Sequence, residues 1–286
     1  PFFILLSSSM PLCEHALNAI FYIACLFRFQ TIRLKKWDFI LNRSITGNIL
    51  SLGLSSFFTQ IAGTAVIAIQ NNLLVKYGAA SVYGADIPMA ALGITMKTSQ
   101  LITSIAMGIA SGIQPILGYN YGSKQYARVK QTFKLSLGSC TAIMLAALVV
   151  FQVFPQAIIN IFGQESALYM EFAVKCFRIY LLACFMIPSG MVTGIFFQSI
   201  GKPIPSMVLS LSRQVIFLIP AMFILGATMG IDGILWSGPV SDMLSGIIAL
   251  IAVRGYWDKI FKGQKNKQNG NHMRPARKQK ESAPIS

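Results

Sequence analysis

The 286-residue chain is 54% hydrophobic and only 12% charged, with a mean hydropathy of +0.61 and a formal net charge of +15. A soluble domain carries roughly a quarter charged residues, so this composition excludes a soluble globular fold and indicates an integral membrane protein. Its basic residues stand in blocks between apolar runs, which is how spans are oriented in a bilayer, and no soluble module is left to bind nucleic acid.

Pro1 to about Phe27 is nearly uncharged apart from Glu14 and His15. It lacks the charged start and small-residue cleavage site of a signal peptide, so a span is expected over about 11–27, with His15 interfacial. Arg28, Arg33, Lys35, Lys36 and Arg43, with Trp37 as an anchor, then mark a cytoplasmic segment. From about Ile45 to Val75 a long span holds Gln60, Gln70, Asn71 and Asn72. So many amides require one face to meet protein or water. Tyr77-Gly78 and Tyr83 to Pro88 form an outer connection whose charges are Lys76 and Asp86.

The next apolar run, from near Ala91 to Gly122, crosses inward. Pro115 should kink it and free a carbonyl, and Gln114 and Asn120 place amides beside the kink. Gly108 and Gly112 permit close helix approach, and Gly122 is the expected C-cap. Lys124, Arg128, Lys130 and Lys134 then read as a cytoplasmic loop. A span over about Leu135–Ile161 leads out to a turn at Asn160–Gly163. Another, over about Ala167–Ile200, carries Glu171, Lys175 and Arg178 on one face and should bend at Pro188-Ser-Gly190.

Gly201-Lys-Pro203 reads as a tight inner turn. A span over about Pro205–Leu225 carries Arg213, and Gly226–Gly233 turns outside. The last span, about Ile234–Val253, has Trp236 near the outer interface and Asp242 deep inside. The nine basic residues from Arg254 to Lys280, among Gln and Asn, predict a disordered tail. About seven spans, with the basic segments inside, place the N-terminus outside and the C-terminus in the cytoplasm.

The sequence also carries a family pattern. Gly112-Ile-Gln-Pro-Ile-Leu-Gly-Tyr-Asn-Tyr-Gly122, followed by a short basic stretch, resembles the eighth helix of the MATE (multidrug and toxic compound extrusion) transporters. Gly53-Leu-Ser-Ser56 is similar to the start of the seventh, and Phe196-Phe-Gln-Ser-Ile-Gly-Lys-Pro203 to the end of the tenth. Leu211-Ser-Arg-Gln214 with Pro220 resembles the eleventh, and Gly238-Pro-Val-Ser-Asp242 the twelfth. The matches run in order over about 45–254.

The resemblance implies an all-α integral membrane fold of about seven spans, six of which form the C-terminal bundle of a two-lobe transporter. The organisation expected is a sixth-helix region and basic loop over 1–44, the six-helix lobe over 45–254, and a basic tail over 255–286. The resemblance also implies that the N-terminal lobe is not included in this sequence. Such a lobe belongs to a secondary antiporter of the plasma or inner membrane. It exports cationic or amphipathic drugs in exchange for Na+ or H+ by alternating access, with no cofactor beyond the coupling ion. Gln60 stands about where certain members carry an acidic residue, which argues against sodium coupling through that helix.

Candidate cleft residues are Gln60, Asn71, Lys97, Gln100, Gln114, Asn120 and Gln198. Gln114 beside Pro115 either lines the cleft or belongs to a packing kink. Lys97, about two turns into its span, either snorkels outward or faces a cavity. Arg178 is expected to pair with Glu171. Asp242 at the middle of a span costs about 2.5–3.5 kcal/mol unless protonated, paired or wet. Arg213 and Asp242 lie within about 3–5 Å in depth at 1.5 Å per residue, on consecutive spans, so they are the expected charge pair.

Other chemistries have no residues to carry them. Five cysteines at unrelated spacings within apolar runs form no metal pattern. There is no phosphate-binding G-x-x-x-x-G-K-[ST] loop, and His15 and His272 lie at opposite ends, so an enzyme is not expected. Two further readings stay open: a lipid-linked saccharide flippase of the same superfamily, with Lys97, Arg178 and Arg213 as its basic residues, or an inactive transporter fragment. A seven-span receptor would show D-R-Y and N-P-x-x-Y, which are absent.

Overall fold

The computed structural model describes Ile20 and residues 43–163 and 166–272. The expected span over 11–27, the segment 28–42 and the tail beyond 272 lie outside the described residues. The chain divides into two units, Pro1–Leu50 and Ser51–Ser286, and the bundle is built within the second. Among the described residues all regular structure is helical. Six stretches are long and apolar enough to cross a membrane: Phe57–Ala79, Asp86–Gly122, Tyr126–Val153, Ala167–Ser199, Pro203–Met229 and Ile231–Lys259.

Proline punctuates these spans. The helices are α1 (Arg43–Ala79), α2 (Asp86–Gly112), α3 (Gln114–Gly122), α4 (Tyr126–Val153), α5 (Pro155–Phe162), α6 (Ala167–Tyr180), α7 (Ile187–Ser199), α8 (Pro203–Leu211), α9 (Ile219–Met229) and α10 (Ile231–His272). Five of them, α3, α5, α7, α8 and α9, carry a proline in their first two positions. There the missing N–H has no carbonyl to lose and the fixed φ already suits a helix. Pro115 therefore divides one span into α2 and α3 around Ile113. Pro188 follows a looser turn and 3₁₀ stretch, Cys184–Met186, between α6 and α7. Ahead of Pro220 the backbone widens into a π-helical segment, Ser212–Leu218, in which the Ile219 N–H donates to the Gln214 carbonyl.

Several boundaries differ from those the sequence suggests. α4 begins at Tyr126, so Arg128, Lys130 and Lys134 stand on its first turns rather than in a loop. Lys124 (φ 60°), not Gly122, adopts the left-handed conformation between α3 and α4. α4 stops at Val153 rather than near Ile161, because Pro155 has no N–H to continue the ladder. The connection expected over Gly226–Gly233 contracts to Gly230 (φ 62°) between α9 and α10. The tail read as disordered from 255 remains helical to His272. Trp257, only 5% exposed, ties its start to the bundle through a ring contact with Phe196 at 5.3 Å.

Two apolar cores hold the bundle. One joins Leu74, Leu92, Tyr169, Phe172, Phe177, Met222 and Ile234 toward the Gly230 end. The other lies toward the Gly201–Lys202 turn and centres on Phe196, whose ring also meets Phe133 at 5.5 Å and Tyr256 at 5.8 Å. Outside these cores, exposed Leu101, Val149, Ile216, Phe223 and Ile251 suit contact with lipid. The α9–α10 hairpin is the tightest approach. A Cβ on Gly233 would lie within bonding range of the Leu225 carbonyl, whereas one on Gly255 would meet nothing within 4 Å. Gly233→Ala is therefore expected to abolish the monodisperse folded peak in detergent size-exclusion chromatography, while Gly255→Ala keeps it.

Candidate functional site

The site is assembled where two interrupted spans, at residues 181–186 and at the π-helical Ser212–Leu218, face α10. On α10, Gly238 has no side chain because the Tyr180 ring occupies the space: a Cβ there would come 2.9 Å from Tyr180 Cε2. This seats the Tyr180 hydroxyl 3.5 Å from Gln70 Nε2, which donates to it. One turn beyond Gly238, Asp242 points into the bundle. The serines around it turn their hydroxyls onto their own helix, Ser241 to the Gly238 carbonyl at 2.8 Å and Ser245 to the Asp242 carbonyl at 3.2 Å. That is how a polar stripe is satisfied without leaving the helix.

Opposite lies the π-helical segment with Arg213. Its Nη2 stands 2.7 Å from Asp242 Oδ1, and its Nε donates to the same oxygen at 2.7 Å. The carboxylate side chain is 7% exposed and the guanidinium side chain 41%. The charge is thus buried on the acidic side and open on the basic side. Two donors on one oxygen form a charge-assisted contact stronger than a neutral hydrogen bond.

The exposure of Arg213 is to two cavities. One, of about 260 Å³, is lined by Gln198, Ser206, Ser210, Gln214 and Ser245 among others. The second, of about 230 Å³, is lined by Ser99, Gln100, Tyr180, Ser241 and Asp242 among others. Arg213, Thr103 and Ile187 border both. In the first, Gln198 Nε2 donates to Ser206 Oγ at 2.9 Å.

The structure thus brings four of the candidates, Gln100, Gln198, Arg213 and Asp242, to the walls of these cavities, Asp242 buried and Gln100 and Gln198 exposed at their edges. Asn120 is used locally, its Nδ2 donating to the Ile116 carbonyl at 2.8 Å. Gln60, Asn71, Lys97 and Gln114 are exposed on the bundle surface and line neither cavity. The expected Arg178–Glu171 pair is not formed. Seven residues separate the two along α6, about 10 Å of rise, too far for contact. Glu171 instead accepts from Tyr83 Oη at 3.4 Å, and Lys175 pairs with Asp232 at 2.7 Å. Among the described residues no cluster of His, Cys, Asp and Glu has the make-up of a metal site.

Tyr180, Ser99, Ser206 and Gln214 were not anticipated. A lone tyrosine or serine in an apolar run has the same appearance as a packing residue. The one available signal was Gly238, whose missing side chain marks a bulky neighbour.

The pair makes a direct prediction. Removing one partner strands a charge, which for buried pairs costs about 3–5 kcal/mol, and the open face of Arg213 places this case toward the lower end. Asp242→Asn and Arg213→Gln should each lower thermal stability in detergent more than the double variant does. If the losses of the two singles simply sum in the double, the contact contributes nothing.

The comparisons with known proteins agree with this architecture. The MatE family model matches residues 50–224. The multidrug export protein MepA of Staphylococcus aureus (strain MRSA252) is 22% identical over 212 residues, covering 74% of this chain and 45% of MepA. MepA of Staphylococcus saprophyticus is 21% identical over 241 residues, covering 84% and 51%. A crystal structure of a MATE protein in the bent conformation superposes with a TM-score of 0.79 at 19% identity, over 88% of this chain and 55% of that one. The structure of the MATE multidrug transporter DinF-BH superposes with a TM-score of 0.72 at 28% identity, over 85% and 53%. The chain spans about half the length of the curated relatives it matches. With its six membrane-spanning stretches in the arrangement of those structures and the family model covering more than half its length, the chain belongs to the MatE family.

Proposed function

We propose that this chain is one lobe of a multidrug exporter that moves cationic or amphipathic small molecules out of the cell by alternating access. It works with a second, N-terminal lobe and is driven by inward Na+ or H+. The observation that carries the reading is the ion pair between two polar cavities inside otherwise apolar spans, a costly arrangement that a passive anchor does not need. The likeness to proteins named multidrug export proteins supports the substrate class. A flippase handling saccharide phosphates calls for several cations along its path, whereas among the described residues Arg213 is the only Lys or Arg lining either cavity.

Orientation follows from charge. Lys124, Lys202 and Arg254 gather at one end of the bundle, near Tyr121, whose hydroxyl is 3.0 Å from that of Tyr256. Lys202 Nζ lies 4.7 Å from the centre of the Tyr256 ring. This end faces the cytoplasm in the proposed membrane, with the C-terminus on the same side.

Two experiments test the reading. In a background without native cysteines, Ser81→Cys should react with an impermeant thiol reagent on intact cells and Ser123→Cys should not; the reverse pattern contradicts the orientation. In an efflux-deficient host, this chain alone should leave the accumulation of a fluorescent lipophilic cation unchanged, whereas co-expression with a MatE-family N-terminal lobe should lower it. Export by the chain alone contradicts the two-lobe reading, and unchanged accumulation with both lobes inserted in the membrane contradicts drug export.

A further inference from the structure

The two cavities lie in series along the spans, and Arg213 stands between them. Ser206 and Gln198 flank the Gly201–Lys202 turn, so the cavity they line is the one near that end. The other cavity lies farther from it on every element that contributes to both. On α2, Met96 and Gln100 precede Thr103 and Met107. Before and along α7, Leu181 and Cys184 precede Gly194 and Gln198. On α10, Gly238 and Asp242 precede Ser245. Running back along the fifth span, Leu218 lies on the far side of Arg213 and Ser210 on the near side.

Among the described residues, three side chains border both spaces. Thr103 and Ile187 are short and fixed on helices, whereas Arg213 carries a long stem with several rotatable bonds. Asp242 grips the guanidinium through a single oxygen, and the Arg213 side chain is otherwise 41% exposed. Its backbone sits in the π-helical segment, where the hydrogen-bond ladder is already widened. The near cavity is polar enough to hold water: Gln214 Oε1, buried at its edge, accepts no hydrogen bond from the described residues.

We propose that the Arg213 guanidinium is a gate between the two cavities, latched by Asp242, and that its release joins them into a continuous polar passage through the lobe. The passage would take water and small hydrophilic solutes. Tyr180 and Cys184 also line the far cavity, the Cys184 thiol donating to the Met144 carbonyl at 3.6 Å. Among the described residues lining either cavity Asp242 is the only carboxylate, so the guanidinium has no second one to move to. The inference concerns this lobe by itself and stands whether or not the lobe exports drugs.

Cysteine accessibility tests it without any transport assay. In a background without native cysteines, Gln198→Cys reports the near cavity and Ser99→Cys the far one. A membrane-impermeant, positively charged methanethiosulfonate reagent is applied to membrane vesicles on the side bearing the Gly201–Lys202 turn. Gln198→Cys should react whether or not Arg213 is present. Ser99→Cys should react slowly with Arg213 in place and about tenfold faster with Arg213→Ala. It should react at an intermediate rate with Asp242→Asn, which unlatches the gate without removing it, and stay protected with Arg213→Lys. Should Arg213→Ala fail to give a monodisperse protein, the Arg213→Gln/Asp242→Asn double variant, which strands no charge, replaces it with the same expected acceleration. Equal Ser99→Cys rates with and without the arginine overturn the gate, and so does an unreactive Gln198→Cys.

Discussion

A carboxylate and a guanidinium in the middle of membrane-spanning helices set the terms for the rest of this lobe. Either charge alone costs about 2.5–3.5 kcal/mol at a span centre. Together, with Arg213 Nε and Nη2 both on Asp242 Oδ1, each supplies the other's missing solvent. The arrangement needs room that regular helices packed side by side do not leave. Gly238 makes room for Tyr180, which borders the far cavity beside the pair, and the π-helical segment carries Arg213 toward Asp242. The small residues and the irregular backbone serve the same contact.

The interruptions obey a second constraint. In hydrocarbon every backbone N–H and carbonyl must be satisfied, so irregular backbone is tolerated only against protein or water. Two of the breaks in this lobe conform. The stretch between α6 and α7 presents Leu181 and Cys184 to the far cavity, and the π-helical segment presents Arg213, Gln214 and Leu218 to one cavity or the other. A proline follows each of these two breaks, Pro188 and Pro220, whereas Pro239 sits inside an unbroken α10, and the cavities give the freed polar groups an environment.

Much of this was legible in the sequence, and the unread part has a physical pattern. The spans stood out because apolar runs are long and charges rare. Pro115 and Pro188 announced their breaks because no other residue removes an N–H. Arg213 and Asp242 stood out because a charge inside such a run has no inexpensive explanation. The boundaries were harder. Basic residues at 128–134 read as a loop, yet Lys and Arg are good helix formers and α4 takes them into its first turns. The turn at Gly230 was blurred by the neighbouring Gly226 and Gly233, which serve packing rather than chain reversal. Sequence shows that a helix has a polar face and not what that face meets, so Gln60 and Asn71, exposed on the lobe surface, read the same as Gln100 and Gln198, which line the cavities. The family pattern placed the spans in order but carried no information on the two cavities.

The account stands on Asp242 being an ionised partner of Arg213 within the membrane-spanning part of the lobe. Infrared difference spectroscopy on the chain reconstituted in lipid bilayers reads that state directly, by subtracting the spectrum of Asp242→Asn from that of the unaltered protein. The difference should contain a carboxylate stretching band and a guanidinium band displaced by the loss of its partner. A band from a protonated carboxylic acid in its place, with the guanidinium unmoved, would contradict it.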